Sequence, residues 1–266
     1  LASIGLIPVV NSFASFLAAR PNEQIYNNAT EKNKIIYVCH FAGIIPAGPG
    51  KSHQSIRDIS LLSTMPNVTV IQPCNSIETR NALRHFVNKE DGVCVLRLNI
   101  GPSPQIIKLP NNYVFEKGTG SIIKNGEKVC IIAYGPVMLN EALVASTILD
   151  QSGVNARIIN MPWVNKINQN WFIKNLKGCD DVVIIDDHHV VGGLGDAIIS
   201  NLINVTKARF TKYGIKSLPN CGSPLEVLKS HSLDGKSLAI NIAKLVGYKI
   251  KSQFIENIDY HDNAPQ

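Results

Sequence analysis

The sequence predicts an α/β protein of two consecutive domains, each built on a mainly parallel sheet. Three observations carry that expectation. Several short Ile/Val-rich runs are apolar throughout instead of alternating, as strands covered on both faces are. Helical stretches separate them, the order that parallel sheets with crossover helices produce. At 266 residues and 45% apolar content, the chain is long enough for one or two cores.

The elements follow in order. Residues 6–10 read as a strand, and Ser12 is placed to cap a helix over 13–27. A second strand covers 34–39, and a helix-like run covers 56–62. A strand at 68–71 leads to a helix over 76–88, on which Ile77, Leu83 and Val87 share one face. The strand at 93–98 closes the first unit. Residues 101–112 hold three prolines and paired asparagines with little periodicity, which sets a linker at 101–114. The first unit is then 1–100, the second 115–250, and 251–266 is a polar tail. In the second unit strands are expected at 128–134, 156–161, 182–186 and 208–213. Helices are expected at 137–151, 170–176, 196–203 and 233–246.

Composition narrows the function. The net charge is +6, but the basic residues are scattered with no run and no interleaved aromatics, which argues against nucleic acid. The six cysteines form no CxxC pair and no metal-ligand spacing with histidine, which suits a reducing compartment and leaves no metal site in this chain. Residues 1–19 are uncharged, yet they lack a basic start and are interrupted by Pro8, Asn11 and Ser12. They are neither a signal peptide nor a membrane span. A chain that opens on Leu1 within a hydrophobic run reads as a fragment of a soluble, cytoplasmic protein.

Gly48-Pro49-Gly50-Lys51-Ser52-His53-Gln54 is the richest local feature. It follows a strand ending in Cys39-His40, and loops at the carboxyl ends of buried strands are where open α/β sheets build sites. His40 and His53 are candidates for one pocket, able to exchange protons near neutral pH. Equally, Gly and Pro there punctuate a turn and His53 caps a helix. Gly192-Gly193-Leu194-Gly195 lies where phosphate loops lie, but it lacks the GxGxxG and P-loop patterns. Close helix–sheet packing is the better reading. Asp186-Asp187-His188-His189 reads as a surface turn, because four consecutive residues of a strand cannot all point inward. Phe13 and Phe16, spaced i, i+3, are a core stripe or an aromatic cradle. Arg97, at a strand end, is an anion holder or an ion-pair partner.

Taken in order, these stretches resemble the C-terminal half of transketolase, especially the separately encoded C-terminal subunits of split transketolases, and after them the deoxyxylulose-phosphate synthases. The residues that carry the likeness are Ile7 to Leu17 with Glu23-Gln24-Ile25, Ser52-His53-Gln54 with Asp58-Ile59 and Met65-Pro66-Asn67, Val70 to Pro73 with Glu78, Ile131 to Gly135, and Asp187-His188 with the Gly-Gly-Leu-Gly run. The resemblance spans roughly residues 1–245. It implies a partial pyrimidine-binding domain of a thiamine-diphosphate enzyme, then a transketolase C-terminal domain. It also implies transfer of a two-carbon ketol unit between sugars, the cofactor serving as electron sink. Phe13 and Phe16 match aromatics lining the aminopyrimidine pocket. His40 and His53 match histidines that face substrate oxygens and move protons or stabilise an alkoxide. Ser52, Gln54 and Arg97 are the implied substrate contacts.

Departures from the family sharpen the expectation. The family's catalytic glutamate lies shortly before the stretch matching Leu1, and nothing here matches its diphosphate-binding domain. The chain is therefore expected to meet only the aminopyrimidine side of the cofactor, with magnesium held by a missing domain or partner chain, and to be inactive alone. Gly48 and Pro49 stand where the family has an acidic pair, and Ile100 stands where it has a phosphate-gripping arginine. These changes predict a substrate other than the usual pentose phosphates, for instance one without a terminal phosphate. A diphosphate-binding N-terminal domain or subunit is the implied partner, in a homo- or hetero-oligomer acting on a sugar or sugar phosphate. The alternatives are a beta subunit of the 2-oxo acid dehydrogenase type and a catalytically degenerate interaction subunit.

Overall fold

The computed structural model describes residues 1–101 and 105–256. After a 3-10 turn at Ala2–Ile4 come β1 (Val9–Phe13), α1 (Ala14–Ala19), α2 (Asn22–Thr30), β2 (Ile36–His40), α3 (Asp58–Ser63), β3 (Val68–Ile71), α4 (Ser76–Lys89) and β4 (Val93–Arg97). The four strands form one parallel sheet in the order β1-β2-β4-β3. The second half holds β5 (Ser121–Lys124), β6 (Lys128–Ala133), α5 (Gly135–Gln151), β7 (Ala156–Asn160), α6 (Gln169–Asn175), β8 (Cys179–His189), α7 (Leu194–Leu202), β9 (Arg209–Ile215), α8 (Pro224–Ser230), α9 (Gly235–Leu245) and α10 (Ser252–Glu256). Its sheet order is β5-β7-β6-β8-β9, parallel except for β5 against β7. The chain is thus α/β with two consecutive, mostly parallel sheets.

Several local expectations are corrected. Residues 6–8 stay outside the sheet and β1 continues to Phe13, so Ser12 is a strand residue and caps nothing. The single helix expected over 13–27 is two, because Pro21 offers no N–H to continue α1 and instead opens α2. On α4, Ile77, Leu83 and Val87 face outward, while Glu78, Ala82, His85 and Phe86 are buried. Strand β8 runs through Asp186, Asp187 and His188, all buried, where a surface turn was expected. Burial on both faces of the strand end lets consecutive polar side chains all be enclosed. Strand β5, helix α8 and the short α10, at the start of the expected tail, went unanticipated. The second had a readable signal: Ser223 and Glu226 form a capping box, with Pro224 at the first turn.

One apolar core crosses from the first sheet into the second, joining Val70, Ile71 and Phe86 to Tyr134, Trp163 and Leu194. A strand-like contact sews the halves together: Ile71 bridges Trp163, Gln72 N donates to Pro162 O (2.9 Å) and Val164 N to Val70 O (3.1 Å). This covers the β3 edge. The β1 edge is open, with Val9 57% and Val10 39% exposed. The expected linker is tied down at Ile107, whose carbonyl accepts from Asn75 Nδ2, and at Tyr113, whose hydroxyl donates to buried Glu78. Residues 102–104 of that linker and 257–266 of the expected tail lie outside the described residues. Among the described residues, no helix is long and apolar enough to cross a membrane.

Candidate active site

Parallel pairing puts the ends of β1 and β2 side by side: Phe13 and His40 are register partners at the carboxyl edge of the sheet. One turn into α1, Phe16 lies 5.8 Å from Phe13, centroid to centroid. The segment after β2 then returns His53 to the same place. Its imidazole is 5.5 Å from Phe13, 5.1 Å from Phe16 and 6.2 Å from Phe41. Phe41 itself packs edge-on against Phe13 at 5.6 Å. The tilted and edge-on geometries are those that aromatic quadrupoles favour. Ser52 Oγ lies 3.0 Å from His53 Nδ1, and the Arg20 guanidinium sits 4.1 Å above the Phe16 ring.

Phe41 turns into the cluster from a left-handed backbone, φ +60°, which a bulky residue rarely adopts. Such strain collects at functional sites and costs about 1–3 kcal/mol. The packing around the next residues over-determines it. Gly43, at φ +82°, lies so close to Asp187 that a Cβ would come within 2.1 Å of its Oδ2.

Phe13, Phe16, Ser52 and His53 therefore converge, with His40 beside them by register. Gln54 and Arg97 do not face the same opening. Gln54 is buried and its Nε2 donates to Ile44 O and Asn220 O, both at 3.1 Å, which ties the histidine loop to the second half. Arg97 is fully buried, and its guanidinium is enclosed by acceptors. Nε and Nη2 fork onto Asp58 (2.6 and 3.1 Å), Nη1 reaches Asp187 (2.8 Å) and Gln72 Oε1, and Nη2 also donates to Ser55 O (3.3 Å). All five N–H donors are engaged. Burial pushes the Asp58 carboxyl up, but the charge and hydrogen bonds of Arg97 outweigh it and hold the group below the usual carboxylate range. Of the two readings left open for Arg97, this geometry is that of an ion-pair partner between the two halves.

The glycine run before α7 is occupied in the same way. Leu194 N and Gly195 N donate to Asp186 at 2.9 and 3.0 Å, so a carboxylate of the chain itself fills the helix N-terminus. A Cβ on Gly193 would stand 2.8 Å from that carboxylate, which is why the approach needs glycine. Tyr134 OH donates to both Asp186 and Asp187. Sequence reasoning missed Phe41, Arg20 and the Asp58–Arg97–Asp187 triad. Only Phe41 had a signal, its position directly after the strand-end histidine.

Aromatic rings and an imidazole gathered at the carboxyl end of a parallel sheet, followed by a second α/β unit, define a class of chains of two α/β units with a ring-lined candidate site. Comparison with known proteins narrows it. The family model "Transketolase, pyrimidine binding domain" matches residues 1–101, and "Transketolase, C-terminal domain" matches 118–238. The chain is 34% identical over 245 residues to a putative transketolase C-terminal section of Methanocaldococcus jannaschii, covering 91% of this chain and 76% of that protein. A solved structure described as a split gene transketolase, inactive beta4 tetramer, superposes with a TM-score of 0.83 at 28% identity, over 93% of this chain and 79% of that one. This chain belongs to the transketolase family and corresponds to its C-terminal part. It spans only 39% of a 1-deoxy-D-xylulose-5-phosphate synthase from Clostridium botulinum, to which it is 28% identical over 249 residues.

Proposed function

We propose that this chain supplies the aminopyrimidine side of a thiamine-diphosphate site in a transketolase-like transferase that moves a two-carbon ketol unit between sugars. The observation that carries the reading is the convergence of Phe13, Phe16, Phe41 and His53 at the carboxyl end of the β1–β2 pair. Half-buried Phe13 and Phe16 offer apolar ring faces, and these residues fit a flat heterocycle. Once bound, the cofactor supplies the carbon nucleophile and electron sink for breaking a bond beside a carbonyl.

The chain's own residues orient and protonate. The three phenylalanines hold the heterocycle and keep water from it. With the Ser52 hydroxyl donating to His53 Nδ1, the Nε2 of His53 carries the proton and donates to a substrate oxygen, where it steadies developing negative charge. His40, beside Phe13 on the strand ends, is the second polar group of that pocket. Arg97 has no free donor for a phosphate and Ile100 offers none, so the substrate we assign is a sugar without a terminal phosphate.

The magnesium–diphosphate end of the cofactor falls to a partner domain or subunit. By itself the chain is then inactive, and the split gene transketolase beta4 tetramer is likewise described as inactive. The test is ketol transfer by the chain assembled with a diphosphate-binding partner, using a five-carbon ketose with and without its terminal phosphate. Turnover of the free sugar, and thiamine-diphosphate affinity lost on Phe13→Ala, support the proposal. Preference for the phosphate ester refutes the substrate assignment, and no transfer from either sugar favours a degenerate interaction subunit.

A further inference from the structure

At the opposite end of the first sheet, where β3 and β4 begin, a cleft of about 490 Å³ lies between the two halves of the chain. The first half lines it with Lys32, Lys89, Glu90 and Asp91, the second with Lys117 and Lys166. Glu90 is already satisfied: it is buried, paired with Lys117 at 2.7 Å and with His85 at 3.0 Å, and it accepts from Thr69 Oγ1 at 3.4 Å. Three ammonium groups, those of Lys32, Lys89 and Lys166, therefore face one exposed carboxylate, Asp91. None of the three makes an ion pair among the described residues. Lys166 is the informative member, because it is half-buried and still has no counter-charge of its own. Burial, and then the neighbouring charge of Lys117, push its ammonium down while Glu90 works against them. An anion in the cleft offsets that repulsion.

We propose that this lysine-lined cleft binds a small phosphorylated metabolite by its phosphate group, with Lys32, Lys89 and Lys166 as the ligating cations. Its volume is that of a small-molecule site. No aromatic side chain lines it, so it lacks the stacking platform by which single-stranded nucleic acid is held. Because its cations come from both halves, an anion there ties the halves together, far from the aromatic cluster at the other end of the strands.

The experiment is isothermal titration of the intact protein with inorganic phosphate and with glycerol phosphate, in chloride of matched ionic strength, with a short single-stranded RNA as a third arm. Saturable binding of both phosphates is expected, weakened about tenfold or more by Lys166→Met, as loss of a charge-assisted contact implies. Lys89→Met, at an exposed position where folding is not at risk, weakens binding in the same direction. His53→Ala leaves it intact, which separates this cleft from the proposed ketol-transfer site. No binding beyond that of chloride, unchanged affinity in both lysine variants, or RNA bound in preference to phosphate would each overturn the proposal.

Discussion

Replacing Arg97 with methionine removes the cation that Asp58 and Asp187 share, and leaves two carboxylates buried without it. Breaking a buried pair by deleting one partner typically costs about 3–5 kcal/mol. Here Gln72 and Ser55 O also lose a donor, so the upper end of that range applies at neutral pH. Urea unfolding of the intact protein reads the loss. The pH dependence identifies its cause. In the wild type the folded Asp58 pKa is depressed, so its stabilisation is complete above the unfolded carboxylate value of about 3.9 and is lost as pH falls through the lower folded value. Without Arg97, burial dominates and raises the folded value, so acid now favours the folded variant. The gap between wild type and variant is therefore widest near pH 7 and narrows toward pH 4–5. Adding Asp58→Asn to Arg97→Met should recover part of the loss, the signature of a coupled pair. The reasoning fails if Arg97→Met keeps wild-type stability and loses only affinity for a phosphorylated sugar.

Three further outcomes are expected. Gly43→Ala should destabilise by at least about 2 kcal/mol, since it combines a left-handed backbone with a Cβ driven into Asp187; unfolding midpoints check it. Phe41→Ala should lower thiamine-diphosphate affinity about tenfold and carry the full Phe→Ala cost of about 3–5 kcal/mol, because alanine keeps the Cβ that strains a left-handed backbone; titration calorimetry and urea unfolding read the two effects. Ser52→Ala, at an exposed position, should leave stability within about 0.5 kcal/mol but lower kcat more than it raises KM, because His53 loses its orienting partner; steady-state kinetics of the assembled enzyme decide it.

Much of the candidate site was legible because its chemistry is local. Phe13 and Phe16 are three residues apart and His53 sits on a Gly/Pro loop, so local grammar made them candidates, and the family resemblance then favoured a site over a core stripe and a turn. Phe41 was marked in the sequence only by its position after the strand-end histidine, and its role escaped notice because the positive φ after β2 is what aims its ring at Phe13. The outward face of α4 misled for a related reason. Ile77, Leu83 and Val87 satisfy helical periodicity, but the opposite face is the buried one: Phe115 and Trp163 pack on His85, Tyr113 and Asn160 bond Glu78, and Phe86 joins the core.

By itself, the sequence determined the α/β class, the two-unit order and the resemblance to the transketolase C-terminal half, since apolar strand runs and residue order depend on neighbours along the chain. Only the tertiary structure decided what the buried charges do. Arg97, Asp58 and Asp187 come from three separate segments, and Asp186 accepts from the glycine turn because the chain folds back on itself after β8. Whether a strand-end arginine or a glycine run meets a ligand or the protein's own carboxylate depends on what folding brings beside it. Sequence spacing carries no record of that.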